Sequence, residues 1–158
     1  MTHNDLLRSL RYALKLNGES IAGLCSLSGL NISPHEVLKL LKKEEEPGFV
    51  ICDDLVMRSF LDGLIISRRG LRDDHDDAGV EVATPLDNNL ILKKIRIALE
   101  LNEGAMLSIL KKAGVNLSKS ELSAMFRAQG HKNYKKCGDQ FLRNFVRGLT
   151  LLLPQHIP

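Results

Sequence analysis

The sequence predicts an all-α protein: two tandem four-helix repeats packed against each other as an intramolecular pseudo-dimer. Three observations lead there. Residues 4–66 and 89–151 align without a gap at an offset of 85 residues. Within each segment apolar residues recur at helical spacing rather than in alternation. Caps, glycines and turn residues fall at the same places in both copies. A repeat of this kind governs the fold, because a small unit that cannot bury its apolar face alone buries it against its neighbour.

Leu6, Leu10, Ala13 and Leu14 lie on one face of a helix over about 4–16, with Arg8, Arg11 and Lys15 opposite. Asn4 is the expected N-cap, and Asn17-Gly18 the expected stop, since both residues tolerate left-handed backbone. A second helix over 19–28 carries Ile21, Leu24, Cys25 and Leu27 and ends at Gly29. Ser33 and Glu36 have capping-box spacing, with Pro34 at the first helical position, where its missing N–H costs nothing. That third helix is expected to reach about residue 43, with Val37, Leu38, Leu40 and Leu41 inward. The segment EEEPGFVIC over 44–52 reads as a loop turning at Pro47-Gly48. Cys52 or Asp53 then begins the most apolar helix, where Val56, Phe60 and Leu64 are joined by Met57, Leu61 and Ile65.

The second repeat follows the same plan: helices over about 89–101, 103–113, 119–128 and 139–153, a second capping box at Ser118 and Glu121, and Pro154 as the final stop. Arg11, Asn17, Gly29, Cys52, Asp54, Arg58, Phe60 and Gly63 recur as Arg96, Asn102, Gly114, Cys137, Asp139, Arg143, Phe145 and Gly148. A glycine inside a helix costs about 1 kcal/mol against alanine. Its recurrence at Gly63 and Gly148 points to a close approach of two helices. Asp54 with Arg58, and Asp139 with Arg143, have the spacing of surface ion pairs. The expected domain organisation is a first repeat at 1–68, an acidic linker at 69–87 and a second repeat at 88–158.

Hydrophobic residues make up 44% of the 158-residue chain, enough for a core, while aromatics are 4% and Trp is absent, so the core is aliphatic. There is no apolar run of membrane-spanning length and no signal-peptide pattern, which makes a cytoplasmic protein with no membrane partner the expectation. The net charge of +3 conceals an asymmetry. The first repeat has 8 basic and 9 acidic side chains, the linker 2 and 6, the second repeat 12 and 4. A basic half beside an acidic linker speaks of partners rather than fold.

The pattern N-D-x-L-x-x-x-R-Y-A-L over 4–14, the E-P-G-F loop over 46–49 and F-L-x-G-L-I over 60–65 together resemble the YehS-like family of small bacterial proteins. Each member of that family has two copies of a domain of unknown function. The resemblance covers nearly the whole chain and implies a bacterial, cytosolic protein, but carries no activity. The second copy departs from the pattern, with His131-Lys132-Asn133-Tyr134 where the first has Glu46-Pro47-Gly48-Phe49.

Motifs for phosphate loops, dinucleotide binding, zinc proteases, serine hydrolases and calcium loops are missing, so no catalytic residue, metal site or cofactor is expected. The run Asp73, Asp74, His75, Asp76, Asp77 offers metal donors, but contiguous acids lack the set intervals of a calcium loop and read as solvated linker. Cys52 and Cys137 read as buried thiols beside helix starts rather than as activated thiolates. Arg11 with Arg96, and Arg58 with Arg143, read as ion-pair partners ahead of an anion site across the two copies. Residues 20–41 have the order of a helix-turn-helix, but the turn is long and helix 3 lacks a base-reading cluster.

The basic residues of the second copy carry more information. Arg127, His131, Lys132, Tyr134, Lys135 and Lys136 gather around one loop, and Lys111, Lys112 and Lys119 flank the preceding turn. Clustered cations attract phosphate backbones without sequence preference, and an aromatic can stack on a base. Two functions stand: a non-enzymatic interaction or scaffold module, with a protein partner or self-association, and a nucleic-acid-associated protein using this basic region. The first is the stronger reading.

Overall fold

Each repeat begins with a helix whose first turn does two jobs. In the computed structural model, which describes residues 1–70 and 85–156, Thr2 is the cap of α1 (His3–Leu14). Its hydroxyl accepts from the Asp5 amide at 3.0 Å, and the Asp5 carboxylate accepts from the Thr2 amide at 3.3 Å. Asn4, the expected cap, is instead buried inside the first turn and bonds to a distant loop. The helix also ends early: Lys15 turns left-handed at φ 54°, as Glu100 does at 53° in the second copy. Asn17 is therefore a start and not a stop. Its Oδ1 accepts from the Ser20 amide at 2.8 Å and caps α2 (Gly18–Leu27). Once the chain has reversed at Lys15, the free amides of the next helix are the partners within its reach.

The third helix, α3 (Pro34–Leu40), opens with the predicted capping box of Ser33 and Glu36. It stops short of residue 43, because its last carbonyls have other partners. Leu40 O accepts from the Asn4 side chain at 2.9 Å, and Lys39 O from the Val50 amide at 3.3 Å. Val37 and Leu40 face inward as expected, but Leu38 is exposed. Asp53 then caps α4 (Asp54–Arg69).

The second copy repeats this sequence of elements. Asp87 caps α5 (Asn88–Ala98), Asn102 caps α6 (Glu103–Lys112), and the box of Ser118 and Glu121 opens α7 (Lys119–Ala124). The helix α7 is cut short for the same reason as α3: Met125 O and Ala124 O accept from Asn89 and from the Lys135 amide, each at 3.0 Å. The last helix, α8 (Asp139–His156), runs through Pro154 rather than ending before it. Proline removes one amide donor, and so late in a helix the turn continues for two residues. Among the described residues these eight helices are the regular structure, and no strand is present. Most of the expected linker, including the run from Asp73 to Asp77, lies outside the described residues.

Packing joins the copies. Within each, the second helix lies on the fourth: α2 on α4 and α6 on α8. The first helix of each copy, however, packs chiefly on the last helix of the other: α1 on α8 and α5 on α4. One apolar cluster consequently runs through both repeats, including Leu6, Leu7, Leu10, Phe60 and Leu61 with Ile91, Leu92, Ile95, Phe145 and Leu149. Lys94 on α5 is buried and donates to Asp62 on α4 at 2.5 Å. Ser9 and Arg147 hold the corresponding positions of α1 and α8, so this ion pair marks one of the two junctions.

The repeated glycines set the helix spacing. A methyl group on Gly63 would lie 1.8 Å from the Leu24 carbonyl oxygen of α2. On Gly148 it would lie 2.0 Å from the Ile109 carbonyl oxygen of α6, the corresponding atom. Neither neighbour is a side chain that can swing away. Gly63→Ala and Gly148→Ala are each expected to lower unfolding free energy by about 3 kcal/mol through overpacking. Gly23→Ala, on α2 with open space around it, should raise it by about 1 kcal/mol. Urea titrations of the three variants check this.

Candidate functional site

The basic loop between α7 and α8 is fastened by one side chain. Asn89, in the first turn of α5, donates to Met125 O and Lys135 O at 3.0 Å and accepts from the Cys137 amide at 2.8 Å. Asn4 does the same in the first copy, donating to Leu40 O and Val50 O and accepting from the Cys52 amide, all at 2.9 Å. Every bond ends on a backbone atom. The tie thus fixes the path of the chain and leaves the loop side chains unspecified. A second tie lies beside it: His3 Nε2 meets Asp54 Oδ1 at 2.7 Å, and in the second copy Asn88 donates to Asp139 at 2.7 Å. The Asn88 bond holds the Asp139 carboxyl below its ordinary pKa. Asp139 also lies 3.5 Å from the N-terminal ammonium, and Arg143 adds to the attraction on its carboxylate. Arg143 donates to Gln140 at 2.8 Å, and Arg58 is buried.

On this frame the loop displays most of the residues singled out from the sequence. His131, Lys132, Lys135 and Lys136 are exposed. Arg127 is half-buried and donates to Asn133 O at 3.2 Å, while His131 Nδ1 accepts from the Asn133 amide at 3.0 Å. Tyr134 is half-buried as well, and burial pushes its hydroxyl pKa up. Lys111 and Lys112 are exposed in the last turn of α6, at the end of α7 opposite the loop. Lys119 lies 3.9 Å from Glu103. Arg96 takes a packing role: its guanidinium lies 4.6 Å over the Phe126 ring, and its Nε donates to Leu101 O at 3.0 Å. Neither partner is a carboxylate, contrary to the expected ion pair.

The cysteines are buried, as the sequence indicates. Burial raises the Cys25 thiol to about 11 and those of Cys52 and Cys137 to about 12. Cys52 sits just before the cap of α4, where it and Met57 have the spacing of a hydrophobic staple. Among the described residues, no group of three His, Cys, Asp or Glu is placed to hold a metal ion, and no helix is long and apolar enough to cross a membrane.

The residues that sequence reasoning missed lie in the first copy. Leu38, Val50, Ile51 and Leu55 are large apolar side chains left exposed, Ile51 at 73% and Leu55 at 60%. The corresponding residues of the second copy are Ser123, Lys135, Lys136 and Gln140. That register was available in the sequence. It shows apolar residues giving way to polar and basic ones at each of the four positions.

The family described as protein of unknown function (DUF1456) matches residues 3–70 and 88–153. The chain belongs to that family. It is 42% identical over 150 residues to the uncharacterized protein YehS of Escherichia coli (strain K12), covering 95% of each chain. The resemblance read from the 4–14, 46–49 and 60–65 patterns is thereby borne out, and the two matched segments are the two repeats. No solved structure matches the chain.

Removing the asparagine tie tests whether it holds the loops. Asn4→Ala leaves two carbonyls and one amide without partners in a buried site, at an expected cost of about 3 kcal/mol. Asn89→Ala should cost less, because Asn89 is half-buried. In hydrogen exchange, the Cys52 amide should lose protection in the first variant and the Cys137 amide in the second.

Proposed function

We propose that this chain is a non-enzymatic binding module: an intramolecular pseudo-dimer that uses one helical frame to present two chemically different loops. The reciprocal packing of α1 on α8 and of α5 on α4 supports the pseudo-dimer. The observation that carries the binding role is the replacement of Val50, Ile51 and Leu55 by Lys135, Lys136 and Gln140 on identically fastened backbones. A loop needed only to close the fold has no reason to be apolar and exposed in one copy and basic in the other. The module is tested by affinity capture from a bacterial lysate, with light scattering of the free chain. Wild type should retain a partner that is lost when Val50, Ile51 and Leu55 are replaced by Lys, Lys and Gln. A strict monomer that retains no partner sinks the reading.

A second reading, nucleic-acid association through the second copy, rests on Lys132, Lys135 and Lys136 standing exposed on one fastened loop. Since Tyr134 is half-buried in that loop, contact falls on phosphates rather than by stacking. Neutralising three phosphate contacts should flatten the salt dependence of binding, reducing its log–log slope by about 3 on double-stranded DNA. Binding of mixed-sequence DNA and RNA at two salt concentrations, by wild type and by K132Q/K135Q/K136Q, checks it. No binding at low salt removes this reading.

A further inference from the structure

We propose that the Val50–Ile51–Leu55 surface of the first copy is the docking site for a basic amphipathic helix of a partner protein; this rests on the reading of the chain as a binding module. Its side chains come from the loop before α4 and from the first turn of α4, and a backbone bond holds that loop to α3. The Val50 amide donates to Lys39 O at 3.3 Å, which sets Val50 beside the turn of α3 that carries Leu38. Asn4 fixes Val50 O and the Cys52 amide on either side of Ile51. Cys52 turns inward and is 3% exposed, while Ile51 points out. Leu55 follows in the first turn of α4.

The fold does not require apolar residues here. The second copy keeps the same ties with Ser123, Lys135, Lys136 and Gln140 in these places. Val50, Ile51 and Leu55, exposed within six residues at positions the scaffold can also make polar, mark an interaction site, while Leu38 leans towards Gly18 at the start of α2.

The charge around the patch selects the partner. Residues 36–55 hold six acidic side chains and three lysines, whereas the corresponding 121–140 hold two acidic side chains and four Lys or Arg. Glu44, Glu45 and Glu46 are exposed in the loop that leads to Val50 and Ile51, and Asp53 is exposed between Ile51 and Leu55. Of the opposing cations, Lys42 donates back to Pro47 O at 2.6 Å, Arg8 of α1 donates to Lys42 O at 2.9 Å and pairs with Asp5, Lys39 is half-buried and Lys43 is exposed. An acidic rim repels nucleic acid and anionic lipid. It also repels itself, which disfavours two copies of the chain meeting patch to patch. The chain's own basic loop offers charge but no apolar anchor, since lysines and Gln140 occupy the anchor positions. An amphipathic helix with Leu or Ile on one face and Lys or Arg along its edges supplies both.

The experiment uses the full chain and a fluorescein-labelled model peptide, an amphipathic helix built of Leu and Lys, in anisotropy titrations at low and moderate salt. Three variants are compared with wild type. V50S/I51S/L55S removes apolar surface at constant charge. E44Q/E45Q/E46Q removes charge at constant apolar surface. K132Q/K135Q/K136Q alters the other copy. The first two should each weaken binding by about tenfold or more, and the third should not weaken it. Equal binding by wild type and the serine variant overturns the proposal, as does equal binding of a Leu/Glu peptide. Sedimentation equilibrium covers the remaining occupant: a wild-type dimer abolished by the serine variant assigns the patch to a second copy and also overturns it. Thermal melts confirm folding, and V50K/I51K/L55Q, which installs the second copy's own residues, must also lose the peptide. If the peptide fails while the lysine-substituted loop still sheds a partner from lysate, this inference falls and the binding module stands.

Discussion

One apolar core is buried by helices drawn from both copies, and the placement of the helix ends, glycines and loops follows from it. A four-helix unit of this size has a high ratio of surface to volume and little core of its own. The apolar face of α1, with Leu6, Leu7 and Leu10, is covered mainly by α8 rather than by α4. The face of α5 is covered by α4 in the same manner. Each copy therefore completes the other, and the two are not separable beads on a linker. Gly63 and Gly148 let α2 and α6 come close enough to close the outer sides of this core. The pair of buried Lys94 and half-buried Asp62 adds a polar contact at one junction. Desolvation of the ammonium offsets much of the attraction between the two, so the pair is weak evidence for net stability.

With helices so fixed, the loops can vary. Asn4 and Asn89 reach only backbone atoms, so they hold a loop whatever its side chains are. That separates the part of the sequence that must be kept from the part that can diverge. Leu40 with Met125, and Cys52 with Cys137, stay apolar because they line the core beneath the tie. The outward positions between Val50 and Leu55 carry no such demand, and there the copies part company.

The sequence made much of this legible, and its failures have a common cause. The capping boxes, the left-handed glycines Gly29 and Gly114 and the close-approach glycines are local or repeated signals, and they appear where the repeat placed them. Asn4 was legible as important but not as a tie, because a lone asparagine ahead of an apolar face looks like a cap whatever its side chain bonds to. The ends of α3 and α7 depend on that same distant bond. Asp54 and Arg58 have ion-pair spacing, but a carboxylate at the start of α4 also faces the first turn of α1, where His3 stands. Spacing along one helix cannot weigh a partner 51 residues away. Charge in the second copy's loop was visible at once. The apolar patch was not, since F-V-I-C reads as the end of a loop, and which of its side chains point out depends on the fold, which turns Cys52 in and leaves Ile51 out.

The asymmetry itself limits what the molecule can bind. A ligand seated across two equivalent surfaces would require the same side chains from both copies, and many of the residues that do recur serve the fold. Ser33, Glu36, Ser118 and Glu121 cap helices, Asn4 and Asn89 hold loops, Cys52 and Cys137 are buried, and Arg96 lies on Phe126. What remains outward differs in kind between the copies, apolar with an acidic rim on one and basic on the other. Opposite charge at equivalent places weakens the binding of any single ligand to both. Duplication followed by this divergence leaves one helical frame with two loops of opposite charge, so a charged group attracted to one is repelled by the other.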